Sequence, residues 1–149
     1  QAGTWAEAAG FGDVVLLAVR AEGVPGVLQA VDVAGKVVVD CTNSIVQGEW
    51  TLATPAMAEW VAAESGARVV KAFHLCPDAT WRMTPPPVHV PLCGDDPDAL
   101  AMVRQLVADI GCAPLDGGGL GRAVLFEAAA AVEIGLTMTG HGLGACLTR

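Results

Sequence analysis

Three short apolar runs constrain this chain most: Val14-Val15-Leu16-Leu17-Ala18-Val19, Val37-Val38-Val39 and, around a single lysine, Val69-Val70-Lys71-Ala72-Phe73. None alternates with polar residues, so each reads as a strand buried on both faces, the pattern of a parallel sheet covered by helices. Between the first two, Pro25 suits a first helical turn, and Val24, Val27, Leu28 and Val31 fall on one apolar stripe. Between the second and third, Thr54-Pro55 caps a helix that turns Met57, Trp60 and Val61 one way and stops at Gly66. Further along, Val88 to Cys93 reads as a fourth strand, which Pro91 pushes towards a sheet edge because proline cannot donate to a ladder. Asp95 or Asp96 with Pro97 then starts a helix bearing Val103, Leu106, Val107 and Ile110, with Gly111 as its stop. Cys112 to Leu115 is a fifth strand. The spacing after Gly117-Gly118-Gly119 predicts a last, alanine-rich helix with Leu125, Ala129, Val132 and Leu136 on one face, fading from Gly135.

Strands alternating with crossover helices predict a three-layer α/β fold with a mostly parallel sheet. Ligands of such open sheets bind outside the carboxyl ends of the strands, which singles out Val19-Arg20, Asp40 to Asn43 and Phe73-His74. At 149 residues the chain fits one domain, 1–149, with a C-terminal helical segment over 122–149. It opens with a short helix, since Thr4 and Glu7 have capping-box spacing, ending near Gly10 or Gly12. Gln1 is neither a natural start nor the beginning of a signal peptide, so the expectation is a chain truncated at its N-terminus.

Composition narrows the partners. A net charge of -8 without a basic cluster argues against nucleic acid and against an anionic membrane surface. The longest segment free of charged residues, Ile134 to Thr148, falls short of the ~20 apolar residues of a membrane span and carries His141. Five widely spread cysteines, Cys41, Cys76, Cys93, Cys112 and Cys146, without a C-x-x-C, predict reduced, buried thiols in a cytoplasmic protein.

At the strand-end positions the sequence resembles a known family, the deazaflavin-dependent NADP oxidoreductases. The resemblance rests on D-V-V-L-L-A-V from Asp13, G-K-V-V-V-D-C-T-N from Gly35, R-V-V-K-A-F from Arg68, C-G-D-D-P-D-A from Cys93, and L-F-E from Leu125 to Glu127. It implies a Rossmann-like fold, NADP as cofactor with NAD not excluded, and a deazaflavin coenzyme as co-substrate. By resemblance the loop at Val19 and Arg20 lies along the dinucleotide, Thr42 and Asn43 lie near the nicotinamide ribose, and Ala72, Phe73 and His74 flank the reacting ring. His74 is the best candidate catalytic residue, for orienting the nicotinamide amide or a protonated acceptor atom.

The chain departs from the family pattern where Arg20 replaces a proline and His74 an asparagine, and where the opening ~30-residue βαβ unit with its glycine-rich turn is missing. Loss of that turn keeps open a non-catalytic Rossmann-like remnant or interaction module. A hydroxyacid dehydrogenase is disfavoured because no lysine follows Arg122. Small-molecule cofactor and acceptor are the expected partners. The strand Val14 to Val19, deprived of a neighbour, predicts a homo-oligomer, or an edge covered by Gln1 to Gly12.

Other features read as structural. Gly117-Gly118-Gly119-Leu120-Gly121-Arg122 lacks the sixth glycine of a phosphate loop and reads as a connecting turn. His74, Cys76 and Asp78 without a distant fourth ligand read as a hydrogen-bonded loop rather than a metal site, within a long segment from His74 to Pro87 of a length that is often functional. Trp81 and Arg82 either stack on a planar ring or cover the core edge. His89 and His141 have no triad partners. Glu127 and Glu133 lie on different helix faces and read as solvated or capping.

Overall fold

The computed structural model of the protein describes residues 3–54, 56–76, 78–82 and 88–142. Pro55, the Pro85–Pro87 run, Cys146 and the end of the expected C-terminal helical segment lie outside them.

The capping box forms as predicted: the Glu7 N–H donates to Thr4 Oγ1 (3.2 Å), the Thr4 N–H donates to Glu7 Oε2 (2.7 Å), and helix α1 runs Trp5–Phe11. Its C-terminal carbonyls are met by the Lys36 ammonium, 2.7 Å from the Ala9 oxygen and 3.0 Å from the Gly12 oxygen. The chain continues through β1 (Val14–Leu17), α2 (Val24–Ala30), β2 (Val37–Asp40), a short hairpin of β3 (Ile45–Val46) and β4 (Thr51–Leu52), α3 (Met57–Ser65) and β5 (Arg68–Lys71). It ends with β6 (His89–Gly94), α4 (Pro97–Asp109), β7 (Ala113–Asp116) and α5 (Ala123–Met138).

A five-stranded sheet in the order β1-β2-β5-β6-β7 forms the middle layer. Neighbouring strand residues point to opposite faces. Val38 and Val69 pack with Val24, Met57 and Val61 of α2 and α3, while Val37, Val39, Val70 and Leu92 pack with Val103 and Val107 of α4. The three layers read from the sequence are present, and the sheet is mostly parallel, α/β and Rossmann-like.

Several expectations change. Strand β6 runs antiparallel to β5 and sits inside the sheet, not at its edge. Pro91 is tolerated because β6 meets β5 only at Val70 with Gly94 and Lys71 with Cys93, while the bonds from Ala113 N to Val88 O and Gly117 N to Leu92 O show the even-numbered residues facing β7. The Pro91 nitrogen therefore points to the β5 side, beyond the end of that ladder. The segment read as a polar loop after β2 carries the β3–β4 hairpin. Helix α5 does not fade at Gly135, and its buried face is Ala123, Glu127, Ala130 and Ala131, leaving Leu125 and Val132 exposed. A Cβ at Gly135 would lie 3.0 Å from Trp50 Cβ and Cγ, so the hairpin tip seats closely on the helix there. Of the cysteines, Cys93 and Cys112 are buried, Cys41 and Cys76 are half-buried, and all four are free thiols.

Strand β1 lies at the sheet edge, and α1 packs by Ala9 into the α2 layer, leaving Leu16 53% exposed. An apolar edge with unpaired N–H and C=O groups invites pairing. Leu16→Lys should therefore reduce self-association in sedimentation, and a stable monomer of the unsubstituted chain at high micromolar concentration would count against that edge as an interface.

Candidate functional site

The site grows from the ends of the three parallel strands. After β1 the chain passes through Val19 and Arg20 into a single turn of 3₁₀-helix, Ala21–Gly23, and then α2. After β2 it passes through Cys41 to Thr42 and Asn43, and after β5 through Ala72 to Phe73 and His74. Val19, Arg20, Thr42 and Asn43 line one cleft of about 270 Å³, closed by Gln47 and Trp50 of the hairpin and Ile134 of α5. A second hollow of about 370 Å³ shares Ala21, Glu22 and Ile45 with it and extends between Pro25, Met57 and Trp60. Arg20 is exposed at the mouth, 3.8 Å from Glu22, a surface pair that contributes little to stability.

The third loop lies behind that cleft. Ala72 is fully buried, His74 is 6% exposed, and neither lines the cleft, although Asn43 Nδ2 donates to the His74 backbone oxygen at 2.6 Å and so ties the second loop to the third. Phe73 takes the left-handed conformation (φ 64°), which in a bulky residue stores about 1–3 kcal/mol and is typical of functional turns. This turn ends β5 and sends the Phe73 ring into a separate apolar hollow of about 370 Å³ with Leu16, Cys41 and Trp81. Trp81 packs edge-to-face on Phe73 at 5.6 Å and stays 42% exposed at the rim of this hollow.

His74 is not the hydrogen-bonded loop histidine the sequence suggests. Neither ring nitrogen has a hydrogen-bond partner among the described residues, and the same is true of Thr42 Oγ1 and Asn43 Oδ1. Burial, and then the nearby Lys71 charge, push the His74 pKa down to about 3, so the ring is neutral at pH 7 with one donor and one acceptor nitrogen. Its edge meets Phe126 of α5 at 6.2 Å. Burial also pushes the Cys41 thiol up to about 12, with the Asp40 carboxylate adding to the effect, so this cysteine beside the cleft is no thiolate nucleophile. Among the described residues no three His, Cys, Asp or Glu side chains gather as metal ligands.

Beneath the loops lies an ionic cluster that spacing alone does not disclose. Lys71, Asp40 and Glu127 are all fully buried. Lys71 Nζ lies 2.9 Å from Asp40 Oδ2, 2.9 Å from Glu127 Oε1 and 2.6 Å from the Thr42 oxygen, so its three N–H donors are all used. Asp40 Oδ1 accepts the Thr42 N–H at 2.9 Å. Glu127 has the capping role among those read for it, across elements: its carboxylate accepts from Met57 N (3.2 Å) and Ala58 N (3.4 Å), supplying the N-terminal cap that Ala56 cannot give α3.

Three amides of the glycine-rich turn before α5 are engaged by the protein. Gly117 N donates to the Leu92 oxygen, Gly118 N to Asp116 Oδ1 and Leu120 N to Asp95 Oδ1, and the two carboxylates there would repel a phosphate. It is a connecting turn.

Residues 1–44 match the family described as NADP oxidoreductase, coenzyme F420-dependent. No curated protein matches the chain. Among solved structures, the hypothetical protein SMa0349 from Sinorhizobium meliloti is 31% identical with a TM-score of 0.69 over 76% of this chain, which spans 60% of that protein's length. A protein from Arthrobacter sp. FB24, provisionally described as an F420-dependent NADP-reductase, has a TM-score of 0.80 at 23% identity, covering 94% of this chain and 71% of its own. No helix among the described residues is long and apolar enough to cross a membrane. The chain is thus similar to the coenzyme F420-dependent NADP oxidoreductases in sequence over residues 1–44, and across nearly its whole length it has the Rossmann-like fold of the Arthrobacter protein.

Proposed function

We propose that this chain forms the nicotinamide side of an NADP-dependent oxidoreductase, which moves hydride between the cofactor and a deazaflavin or similar acceptor. The observation that carries the reading is the set of buried polar atoms at the carboxyl ends of β2 and β5 that have no partner among the described residues: Thr42 Oγ1, Asn43 Oδ1 and both ring nitrogens of His74. Buried polar groups without partners are uncommon in folded proteins and mark places where something else binds. A hydroxyl, an amide oxygen and a neutral imidazole together offer donors and acceptors but no charge, which fits a carboxamide better than a phosphate or a carboxylate.

The nicotinamide, when bound, supplies the hydride chemistry itself. The chain's own residues would bind and orient it: Thr42 and Asn43 would meet the nicotinamide end, Val19 and Arg20 would run along the dinucleotide, and His74, set behind the cleft and tied to Asn43 through its backbone oxygen, would offer its ring nitrogens from the buried side. The Trp50 hairpin and Ile134 restrict water at the cleft. No dedicated acid or base is required, in keeping with a His74 ring held neutral.

Calorimetric titration of the full-length protein with NADPH and NADH tests this. Heat and thermal protection with either are expected, and neither appearing on folded material would favour the non-catalytic remnant. At His74 the expected results diverge by chemistry. His74→Asn keeps a donor and an acceptor and should retain both the thermal transition and acceptor reduction. His74→Leu removes them and should lower kcat/KM about tenfold, the loss of one hydrogen bond of about 1.4 kcal/mol. Equal rates for the two variants would remove His74 from the site.

A further inference from the structure

We propose that Lys71, Asp40 and Glu127 form a positioning unit that presents Thr42 and Asn43 to the nicotinamide end of the cofactor, an inference that rests on the functional reading above. The argument turns on Thr42. Its N–H is held by Asp40 Oδ1 and its C=O by Lys71 Nζ, so both backbone groups of one residue are fixed by the two halves of one ion pair. With its backbone clamped, Thr42 keeps a buried hydroxyl that has no hydrogen-bond partner among the described residues. Asn43 follows under the same constraint, with its amide nitrogen tied to the His74 oxygen and its Oδ1 left over.

Glu127 completes the unit from another layer. It takes the third donor of Lys71 and, through the Met57 and Ala58 amides, locks α3 to α5. A lone Lys–Asp pair would hold Thr42 to the sheet. The third member references Thr42 to α5, the helix that also brings Ile134 to the cleft and Phe126 to His74. The cluster touches neither cleft nor solvent, which makes these positioning residues rather than catalytic ones.

The test uses Glu127→Gln in the full-length protein, because glutamine keeps a carbonyl oxygen for the α3 amides while removing the charge that holds Lys71. Two readouts separate positioning from general scaffolding: hydrogen exchange at the Thr42 amide, and affinity for NADPH compared with 2′-phospho-ADP-ribose, which lacks only the nicotinamide. The expected result is faster exchange at Thr42, NADPH binding weakened about tenfold, and 2′-phospho-ADP-ribose binding unchanged within about twofold. Asp40→Asn, which keeps the acceptor for Thr42 but breaks the ion pair, should weaken NADPH binding in the same selective way and serves if the first variant does not fold. Equal losses for both ligands, or no loss for either, overturn the proposal while leaving the oxidoreductase reading intact. Wild-type protein that binds neither ligand overturns that reading, and this inference with it.

Discussion

Replacing Lys71 by methionine should lower the unfolding free energy by about 3–5 kcal/mol, because it strands two carboxylates in a site with no access to water. The loss is a large fraction of the ~5–15 kcal/mol that holds a typical domain together. Urea unfolding at pH 7 would measure it. The companion variant Lys71→Met with Asp40→Asn and Glu127→Gln carries no buried charge and should recover much of the loss, since it is the unpaired charge and not the missing cation that costs. A loss below about 1 kcal/mol for the single variant would mean that water or a backbone shift reaches the carboxylates.

Acid should destabilise the protein through His74. Burial, and secondarily the Lys71 charge, hold its folded pKa at about 3, against 6.5 for an unhindered imidazole. Below pH 6.5 the unfolded chain therefore takes up a proton that the folded chain refuses. The stability is complete above that value, declines as the pH falls, and stops declining only near pH 3. Between pH 7 and pH 5 the His74 contribution amounts to about 2 kcal/mol. Wild-type protein should lose that much more than His74→Asn over the same interval, as read from denaturant midpoints. Parallel pH profiles would show that the ring is solvated or finds a partner when protonated.

The strands were legible because residues such as Val37 to Val39 leave a chain no polar face to turn to water, and the strand ends then followed from the topology of open sheets. Strand direction was not legible. Nothing local in His89 to Gly94 encodes whether β6 runs with β5 or against it, and Pro91 pointed to an edge because its harmless placement depends on where the β5 ladder stops. The β3 and β4 strands are two residues each, too short for alternation to register. The face of α5 misled for a different reason: with apolar residues all round, its periodicity cannot choose the buried side, and the decisive residue is the charged Glu127. A signal for the ionic cluster did exist. Lys71 interrupts an apolar run that must be buried on both faces, and a lysine there has to be paired. Its partners come from distant parts of the chain, which spacing rules do not reach.

The cap that Glu127 places on α3 also sets an order of events during synthesis. Strands β1, β2 and β5 leave the ribosome well before α5, so the first two-thirds of the chain can pair Lys71 with Asp40 but must hold α3 with its leading amides unmet. The nascent sheet then lacks only β7, and its strand-end loops lack their last anchor. Arrival of α5 supplies the cap and the third partner of Lys71 through Glu127, and the wall of the cleft through Ile134. Competence to bind a ligand should therefore appear abruptly and late in translation, and a ribosome stalled before α5 emerges would display a folded sheet with no working site.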